Sequence, residues 1–176
     1  MFRTLGMSEE ESMEKFGYLI DAFRQVKTEK KLVIAGGSSD TEDYTAQLRQ
    51  LAAGDQRILF TGFVQGQLLE ELYSNAWVYV LPSDVEGMPL SLLEAMSYGC
   101  CCLVSDIAEC ADVVEDKTAV FPKGNIEALQ AKLQELCDRP ELVDKYKSEA
   151  SEFICDKYNW DDVVEKTLKL YENEDK

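Results

Sequence analysis

The sequence predicts an α/β domain in which a parallel β-sheet is covered by helices on both faces. Short apolar runs of strand length alternate with segments of helical periodicity along most of the chain. Glycines directly follow several of the apolar runs, where the backbone must turn tightly. The connections are short, which favours parallel strands with a helix crossing between them. We therefore expect a single Rossmann-like domain with about five or six strands and extra C-terminal helices.

The predicted elements follow one another without a linker, a repeat or a low-complexity segment. Strand-like runs lie at residues 31–35, 57–61, 77–81, 101–105 and 118–121, and residues 2–5 could form a short edge strand. Helical periodicity lies at residues 14–26, 40 or 41 to 53, 68–75, 89–98, 108–114, 126–137, 140–153 and 159–173. Asn125 is suited to cap a helix, Pro89 and Pro140 to begin one, and Gly99 to end one.

Composition limits the kind of protein this chain can be. Its 176 residues are enough for one compact domain with a substantial core. The formal net charge of −16, from 34 acidic and 18 basic residues, argues against binding to nucleic acid or to an anionic lipid surface. No apolar run approaches the roughly 20 residues of a membrane helix, and the N-terminus does not resemble a signal peptide.

Cysteine and histidine usage restricts the chemistry further. The chain has six cysteines and no histidine, so it cannot form a Ser–His or Cys–His nucleophilic triad by itself. No C-x-x-C spacing occurs, and we expect no metal site. The consecutive Cys100, Cys101 and Cys102 lie in a strand-like run and are typical of small core residues in a reducing compartment. This pattern favours a cytoplasmic protein.

The most informative stretch is residues 83–99, which follows a strand-like run and combines a turn with a short helix. Glu86 precedes the helix and Glu94 lies about one turn inside it. Amide groups at a helix start, here near Met88, Leu90 and Ser91, are suited to hold a phosphate group. Gly87 would let the backbone approach a ligand. An alternative is a simple strand–turn–helix connection with two surface glutamates, and spacing alone does not exclude it.

These residues also carry a family resemblance. The motif reads Pro82-Ser83-x-x-Glu86-Gly87-Met88-Pro89-Leu90-Ser91-Leu92-Leu93-Glu94-Ala95-Met96-x-x-Gly99. It resembles the Glu-x7-Glu region of group 1 glycosyltransferases, GT-B enzymes that use nucleotide-diphosphate sugars, mostly with retention. Matching pieces extend along nearly the whole chain: residues 32–37 and 58–64 resemble the family's strand-plus-glycine turns, and Trp160 and Tyr171 occupy its closing helix.

The resemblance implies a role for each matching position. Glu86 would contact the donor sugar and is the candidate catalytic residue, while Glu94 would bind the ribose hydroxyls. Phe63 and Val64 would meet the base through their backbone. The backbone amides of Gly87, Met88, Leu90 and Ser91 would hold sugar and diphosphate, and Gly36 and Gly37 would form the glycine turn of the donor site. The resemblance implies no bound metal and no other cofactor.

The sequence departs from the family pattern in two ways, the first of which concerns the start of the chain, residues 1–15. The family places an Arg and a Lys on the diphosphate there. Here Arg3 is only loosely placed, Glu14 takes the position of the lysine, and Lys15 falls one residue late. Loss of both cations would weaken stabilisation of the leaving group. The family's N-terminal acceptor domain also has no counterpart within these 176 residues.

We therefore interpret the chain, residues 1–176, as the donor-binding C-terminal domain of a group 1 glycosyltransferase. The full enzyme would move a sugar from a nucleotide-diphosphate sugar to a glycan, a lipid-linked acceptor or another hydroxyl, and could associate peripherally with a membrane. One alternative is a nucleotide-sugar binding or partner-docking module that has no transferase activity by itself. Another is a sugar-nucleotide epimerase of similar architecture, against which the Glu-x7-Glu helix argues.

Overall fold

The structure is a computed structural model, and it describes residues 9–36 and 42–173. The helices are α1 (Glu9–Gln25), α2 (Glu42–Leu51), α3 (Gln67–Asn75), α4 (Leu90–Ser97), α5 (Ala108–Val114), α6 (Ile126–Asp138), α7 (Pro140–Lys157) and α8 (Trp160–Asn173). The strands are β1 (Leu32–Ala35), β2 (Ile58–Gly62), β3 (Tyr79–Leu81), β4 (Cys102–Ser105) and β5 (Ala119–Phe121). These bounds agree with the sequence predictions to within a few residues, and the α/β class is confirmed. The edge strand predicted at residues 2–5 lies outside the described residues.

The strands pair in parallel, as the short crossover helices require. In the described part of the chain they form two hydrogen-bonded ladders, a two-stranded one in the order β1-β2 and a three-stranded one in the order β3-β4-β5. The expected single sheet of five or six strands is therefore seen as two ladders. Leu32 of β1 packs against the core clusters beneath both ladders, so they share apolar packing. Ligands of open parallel sheets bind outside the carboxyl ends of the strands, so the loops that follow the strands are where a site is expected.

β4 is the most deeply buried strand, and its side chains alternate between the two faces. Cys102 and Val104 pack against α3, α4, α5 and α7, whereas Leu103 and the preceding Cys101 pack against α1 and α6. Both faces are apolar because helices cover both sides of the ladder, the pattern expected of a parallel sheet. The cysteine triplet is thus part of the core. Burial raises the pKa of Cys100 to about 11 and that of Cys101 to about 12, so both stay as unreactive thiols at neutral pH.

Helix α4 ends in a Schellman motif that fixes how the chain enters β4. Gly99 has a φ of 72° and donates to Met96, while Cys100 donates to Ala95 over 3.0 Å. Paired bonds of this kind satisfy carbonyls that the helix end would leave open, and the left-handed residue is usually glycine. The C-terminal role predicted for Gly99 is confirmed. Asn125 likewise caps α6, where its side chain accepts from the amide of Ala128.

Arg57 ties the start of β2 to the segment that follows α1. The Arg57 guanidinium donates to both carboxylate oxygens of Asp55, at 3.0 and 2.7 Å, and to the carbonyls of Val26 and Thr28. Its donors therefore serve carbonyls that follow α1. The hydrogen bond from Arg57 lowers the pKa of Asp55 from 3.8 to about 2. These hydrogen bonds fix the end of α1 relative to the start of β2.

Helix α8 differs from the other helices because its described side chains are exposed. Val163, Val164, Leu168, Leu170 and Tyr171 have between 49% and 69% of their surface accessible. Local interactions support the helix: the Asn159 side chain accepts from the amide of Asp161, and Lys169 pairs with Glu165 one turn away. No helix of the described residues is long and apolar enough to cross a membrane.

Candidate functional site

The site is built on residues 82–97, which we call the glutamate segment. The turn 82–89 follows β3, and α4 begins at Leu90. Pro89 is the N-cap, with φ −77° and ψ 72°, and its carbonyl accepts from the amides of Leu92 and Leu93. The sequence placed Pro89 in the first helical turn, so the helix starts one residue later than expected. The segment therefore places a helix N-terminus close to the carboxyl end of a parallel strand.

One of the amides expected to hold a phosphate group already has a backbone acceptor. The Leu90 amide donates to the carbonyl of Met88 over 2.8 Å. Pro89 lies between them in the conformation of an inverse γ-turn, which closes that three-residue bond. The Leu90 amide is therefore not an open donor, contrary to the expectation that it could hold a phosphate group. The amides of Met88 and Ser91 have no acceptor among the described residues, so they remain as donors at the helix start.

The buried face of α4 also differs from the sequence pattern. Leu90, Leu93 and Met96 recur at helical spacing, but Leu90 is 64% exposed. The fully buried residues are Leu92, Ala95 and Met96, which pack against the core beneath β3 and β4. Three of the eight residues of this helix are polar, and Ser91, Glu94 and Ser97 recur at helical spacing. Leu90 lies on their side of the helix, one turn before Glu94, which is why it is exposed. Leu90 and Met88 instead form an exposed apolar surface at the start of the helix.

Glu86 is half-buried and is held from behind by hydroxyl groups. Ser83 donates to its Oε1 atom over 2.5 Å, and Ser105, at the end of β4, donates to the carbonyl of Ser83. Both serines are nearly inaccessible, at 4% and 1% exposed. Burial raises the pKa of Cys110 to about 12, and the nearby charge of Glu86 adds to that shift. The second oxygen of Glu86 has no donor among the described residues.

Glu94 is exposed and is also contacted by a hydroxyl group. The Tyr73 hydroxyl, from α3, donates to Glu94 Oε2 over 3.3 Å. Tyr73 stacks on Tyr98 with ring centroids 5.6 Å apart, which fixes the ring that carries the hydroxyl. Burial, followed by the charge of Glu94, raises the pKa of Tyr73 well above its ordinary value. Tyr73 therefore stays protonated and remains a donor at neutral pH.

A third hydroxyl contact holds Ser91, which lies between the two glutamates in the sequence. The buried Tyr79, in β3, donates to Ser91 Oγ over 2.9 Å. Burial raises the pKa of Tyr79 above its ordinary value, so this hydroxyl also keeps its proton. Since the Ser91 oxygen accepts this bond, its own O–H group remains able to donate toward an anion. Ser91 thus combines a hydroxyl and an amide at the start of α4.

The loops after β1 and β2 are tied together at the same edge. The Gly36 amide donates to the carbonyl of Gly62 over 2.9 Å, and both glycines have positive φ. The next two residues differ in exposure: Phe63 is 59% exposed, whereas Val64 is 7% exposed and belongs to the core. Val64 can therefore meet a ligand only through its backbone, which is the contact the resemblance implies. Helix α3 follows this loop and carries Tyr73 to Glu94.

The remaining predicted site residues fall wholly or partly outside the described part of the chain. Arg3 and Gly37 lie outside the described residues. Lys15 lies in α1, and its side chain is outside the described part as well. Within the described ranges, neither Glu86 nor Glu94 forms an ion pair. Their hydrogen-bonding partners are the hydroxyl groups of Ser83 and Tyr73, and each glutamate keeps one carboxylate oxygen for a further donor.

Sequence reasoning missed the hydroxyl groups of Tyr73, Tyr79, Ser83 and Ser105. The two tyrosines read as ordinary core residues of a helix and a strand. Ser83 stands three residues before Glu86 and was part of the motif, but its contact could be recognised only from the fold. Ser105 comes from a different strand, so no sequence spacing links it to Glu86.

Comparison with known families identifies the class to which this fold and site belong. Residues 4–139 match the family model described as glycosyl transferases group 1. The chain belongs to this family, and the resemblance seen in the glutamate segment is confirmed. An uncharacterized glycosyltransferase of Methanocaldococcus jannaschii is 28% identical, over 96% of this chain and 47% of the relative. The sulfoquinovosyl transferase SQD2 of Arabidopsis thaliana is 34% identical, over 66% of this chain and 24% of the relative.

Solved structures show the same fold. The Anabaena protein HepE, in complex with UDP and glucose, superposes with a TM-score of 0.84 at 16% identity, over 98% of this chain and 47% of that one. The catalytic domain of cholesterol-α-glucosyltransferase from Helicobacter pylori superposes with a TM-score of 0.68 at 19% identity, over 90% of this chain and 96% of that one. The chain spans about a quarter to a half of the length of these curated relatives, and it corresponds to one half of a GT-B fold.

Proposed function

We propose that this chain is the donor-binding half of a retaining glycosyltransferase. The complete enzyme would move a sugar from a nucleotide-diphosphate sugar to a hydroxyl group of a glycan or another acceptor. The observation that carries the proposal is the glutamate segment, in which two carboxylates flank a helix N-terminus at the carboxyl ends of the strands. Ligands of open parallel sheets bind at that edge.

The nucleoside end of the proposed site is Glu94 with Ser91. Glu94 keeps one carboxylate oxygen for a ligand, and vicinal hydroxyls such as those of ribose are donors that a carboxylate accepts well. The Ser91 hydroxyl and amide, together with the Met88 amide, would donate to the diphosphate. The backbone of Phe63 and Val64 would contact the base. HepE, which shares the fold, is recorded in complex with UDP, and this supports a uridine nucleotide as the first ligand to test.

The sugar end of the proposed site is Glu86. Its open oxygen would accept from a hydroxyl of the donor sugar and would stabilise positive charge on the sugar ring as the bond to the diphosphate breaks. The leaving diphosphate needs donors too. Those described are amides and a hydroxyl, while Arg3 and Lys15 remain the proposed cations. We propose that the site works without a metal ion, since these donors suit phosphate oxygens directly.

A second candidate is a nucleotide-sugar binding or partner-docking module without transferase activity of its own. The exposure of α8 favours it, because Val163, Val164 and Leu168 leave an apolar surface uncovered. Exposed Met88 and Leu90 provide a second apolar surface beside the glutamate segment. The two candidates share the donor site and differ in whether the chain transfers sugar by itself.

Calorimetry on the purified chain tests the proposal. Native protein and the Glu94→Ala variant are titrated with UDP, GDP and ADP, and with their glucose derivatives. We expect native protein to bind one of these nucleotides and the variant to bind it about tenfold or more weakly, since a charged hydrogen-bond acceptor is removed. Glu165→Ala, an exposed glutamate of α8, is the matched control and should leave binding unchanged.

Two outcomes would contradict the proposal. If native protein binds none of the six nucleotides, the donor-site interpretation fails. If native protein binds but Glu94→Ala binds equally well, Glu94 has no role at the ribose. Incubation of the chain with a bound nucleotide sugar and simple glycoside acceptors separates the two candidates. Product formation favours the transferase, and its absence with intact binding favours the module.

A further inference from the structure

We propose that Ser83, held by Ser105, is a positioning residue that fixes the Glu86 carboxylate for recognition of the donor sugar. This inference rests on the proposed function and assigns a specific part of it to two buried hydroxyls. Two successive hydrogen bonds, which we call the serine relay, connect the end of β4 to the turn after β3. Ser105 donates to the Ser83 carbonyl, and Ser83 donates to Glu86 Oε1 over 2.5 Å.

The relay begins at a rigid part of the fold. Ser105 is the last residue of β4 and pairs in register with Phe121 of β5. The next amide, that of Asp106, donates to the Phe121 carbonyl over 2.9 Å. Ser105 is 1% exposed, so the surrounding atoms restrict its side chain to few conformations. A hydroxyl with such support places its acceptor, the Ser83 carbonyl, at a fixed point.

Ser83 transmits this position to the carboxylate. Ser83 is 4% exposed, and its bond to Glu86 joins a neutral donor to a charged acceptor, which is stronger than a bond between neutral groups. The bond occupies Oε1 alone. Oε2 accepts from no described residue, and the bond at Oε1 restricts the positions that the carboxylate can take. A sugar hydroxyl would therefore meet an acceptor that is already oriented, which reduces the entropy lost on binding.

The geometry argues against a purely structural role for this bond. The apolar packing beneath β3 and β4 already fixes the backbone through Leu81, Leu92 and Val104. Glu86 is only half-buried, so water could satisfy its carboxylate without Ser83. The serine relay therefore orients the Glu86 carboxylate and contributes little to the stability of the fold. Loss of Ser83 should disturb sugar recognition more than nucleotide binding.

The test compares how each variant binds a nucleotide with and without its sugar. Titration calorimetry gives the dissociation constants of UDP-glucose and UDP, or of the GDP or ADP pair if that base is the one that binds. The ratio compared is the dissociation constant of UDP-glucose divided by that of UDP. We expect Ser83→Ala to raise this ratio about tenfold, while the dissociation constant of UDP itself changes less than about twofold. Glu86→Gln should raise the ratio to a similar extent. Ser148→Ala, which removes an exposed hydroxyl bonded to a carbonyl of α7, should change neither.

A double variant shows whether Ser83 acts through Glu86. In the Glu86→Gln background, Ser83→Ala should raise the ratio no further. Ser105→Ala provides a second variant in case Ser83→Ala fails to fold, and it should shift the ratio in the same direction. Intact UDP binding is the internal check that each variant retains its fold.

Several results would overturn the inference. If Ser83→Ala leaves the ratio unchanged while Glu86→Gln raises it, Glu86 acts without the relay and the proposed function stands. If the two substitutions add in the double variant, Ser83 does not act through Glu86. If Ser83→Ala weakens UDP and UDP-glucose equally, its role is structural. If native protein binds no nucleotide, the proposed function fails and this inference fails with it.

Discussion

At the scale of single residues, the site depends on uncharged hydroxyl groups that orient charged or polar ones. Tyr73, Tyr79 and Ser83 each donate to one group of the glutamate segment, namely Glu94, Ser91 and Glu86. A hydroxyl donor orients a carboxylate without neutralising it, so the carboxylate remains a strong acceptor for ligand hydroxyls. This arrangement suits recognition of sugars and ribose better than a pair of ion-paired glutamates would.

The Tyr73→Phe variant tests this arrangement at the nucleoside end. Removing one hydrogen bond of 3.3 Å to Glu94 should weaken nucleotide binding about fivefold. The 2′,3′-dideoxy form of the same nucleotide should bind native and variant protein equally, because it lacks the hydroxyls that Glu94 would meet. Paired titrations with the ribose and dideoxy forms measure both effects.

Tyr98→Phe is the control for that experiment. Tyr98 stacks on Tyr73, but its hydroxyl bonds to no described oxygen, so its loss should leave both titrations unchanged. A Tyr73→Phe variant that lost affinity equally for the ribose and dideoxy forms would show that the hydroxyl supports the fold and does not orient Glu94.

At the scale of secondary-structure elements, the end of α4 is the connection most sensitive to a single methyl group. Gly99→Ala places a side chain at a φ of 72°, and the nearest atom to the new Cβ, the Lys147 carbonyl oxygen, is 3.7 Å away. Space is therefore sufficient, and the strain comes from backbone conformation alone. We expect Gly99→Ala to lower the free energy of unfolding by about 1–2 kcal/mol and Gly99→Asn by less. Urea denaturation measures both values.

Substitution of a second glycine by alanine should change the free energy of unfolding in the opposite direction and serves as a control. Gly17 lies inside α1 without positive φ, and an added Cβ would be 3.6 Å from Leu51, an ordinary contact. Gly17→Ala should therefore raise the free energy of unfolding by about 0.5–1 kcal/mol, because alanine is the better helix former. Equal effects of alanine and asparagine at position 99 would contradict the assignment to backbone strain.

The elements were predictable from sequence because their signals are local. Strand-length apolar runs, the Asn125 cap and the Gly99 terminus each depend on a few neighbouring residues, and each is found where the sequence placed it. The repeat of Leu90, Leu93 and Met96 does not by itself mark the buried face of α4. The polar residues Ser91, Glu94 and Ser97 also recur at helical spacing, and Leu90 lies on their side of the helix. The polar residues of such a helix therefore indicate its exposed face better than the apolar repeat does.

The candidate site was predictable only in part, for the same reason. Glu86 and Glu94 are marked by their spacing around a helix start, which a sequence displays directly. Ser105 belongs to a different strand, β4, so no sequence spacing links it to the site. The Leu90 amide donates to the Met88 carbonyl within a turn, and no residue pattern specifies the dihedral angles of that turn. Contacts between distant segments are set by the fold, so they become visible only in the structure.

At the scale of the whole molecule, acid should weaken the link between α1 and β2. The pKa of Asp55 falls from 3.8 to about 2 because Arg57 donates to its carboxylate. A carboxyl with a lowered pKa contributes stability that is present above about pH 4 and is lost as pH falls toward about 2. The shift corresponds to at most about 2 kcal/mol at neutral pH.

The Asp55→Asn variant tests this link. It should be less stable than native protein by up to about 2 kcal/mol at about pH 7, and the difference should shrink as pH falls from about 4. Urea denaturation across that pH range measures the difference directly. Glu165→Gln is the control, since its pair with Lys169 is more than 60% exposed on both sides and should contribute little at any pH. A difference that stays constant with pH would contradict the role of Asp55.

The exposure of α8 has a thermodynamic consequence for the molecule. A 14-residue helix in water is marginal by itself, because nucleation is unfavourable and few hydrogen bonds follow it. We expect the order of α8 to follow a helix–coil equilibrium, which its cap, its acidic first turn and the Glu165–Lys169 pair shift toward helix. The helix content of α8 would then change gradually with temperature and salt, whereas helices that share a core unfold cooperatively. Any surface that covered Val163 and Leu168 would stabilise the helix itself as well as bury its apolar face.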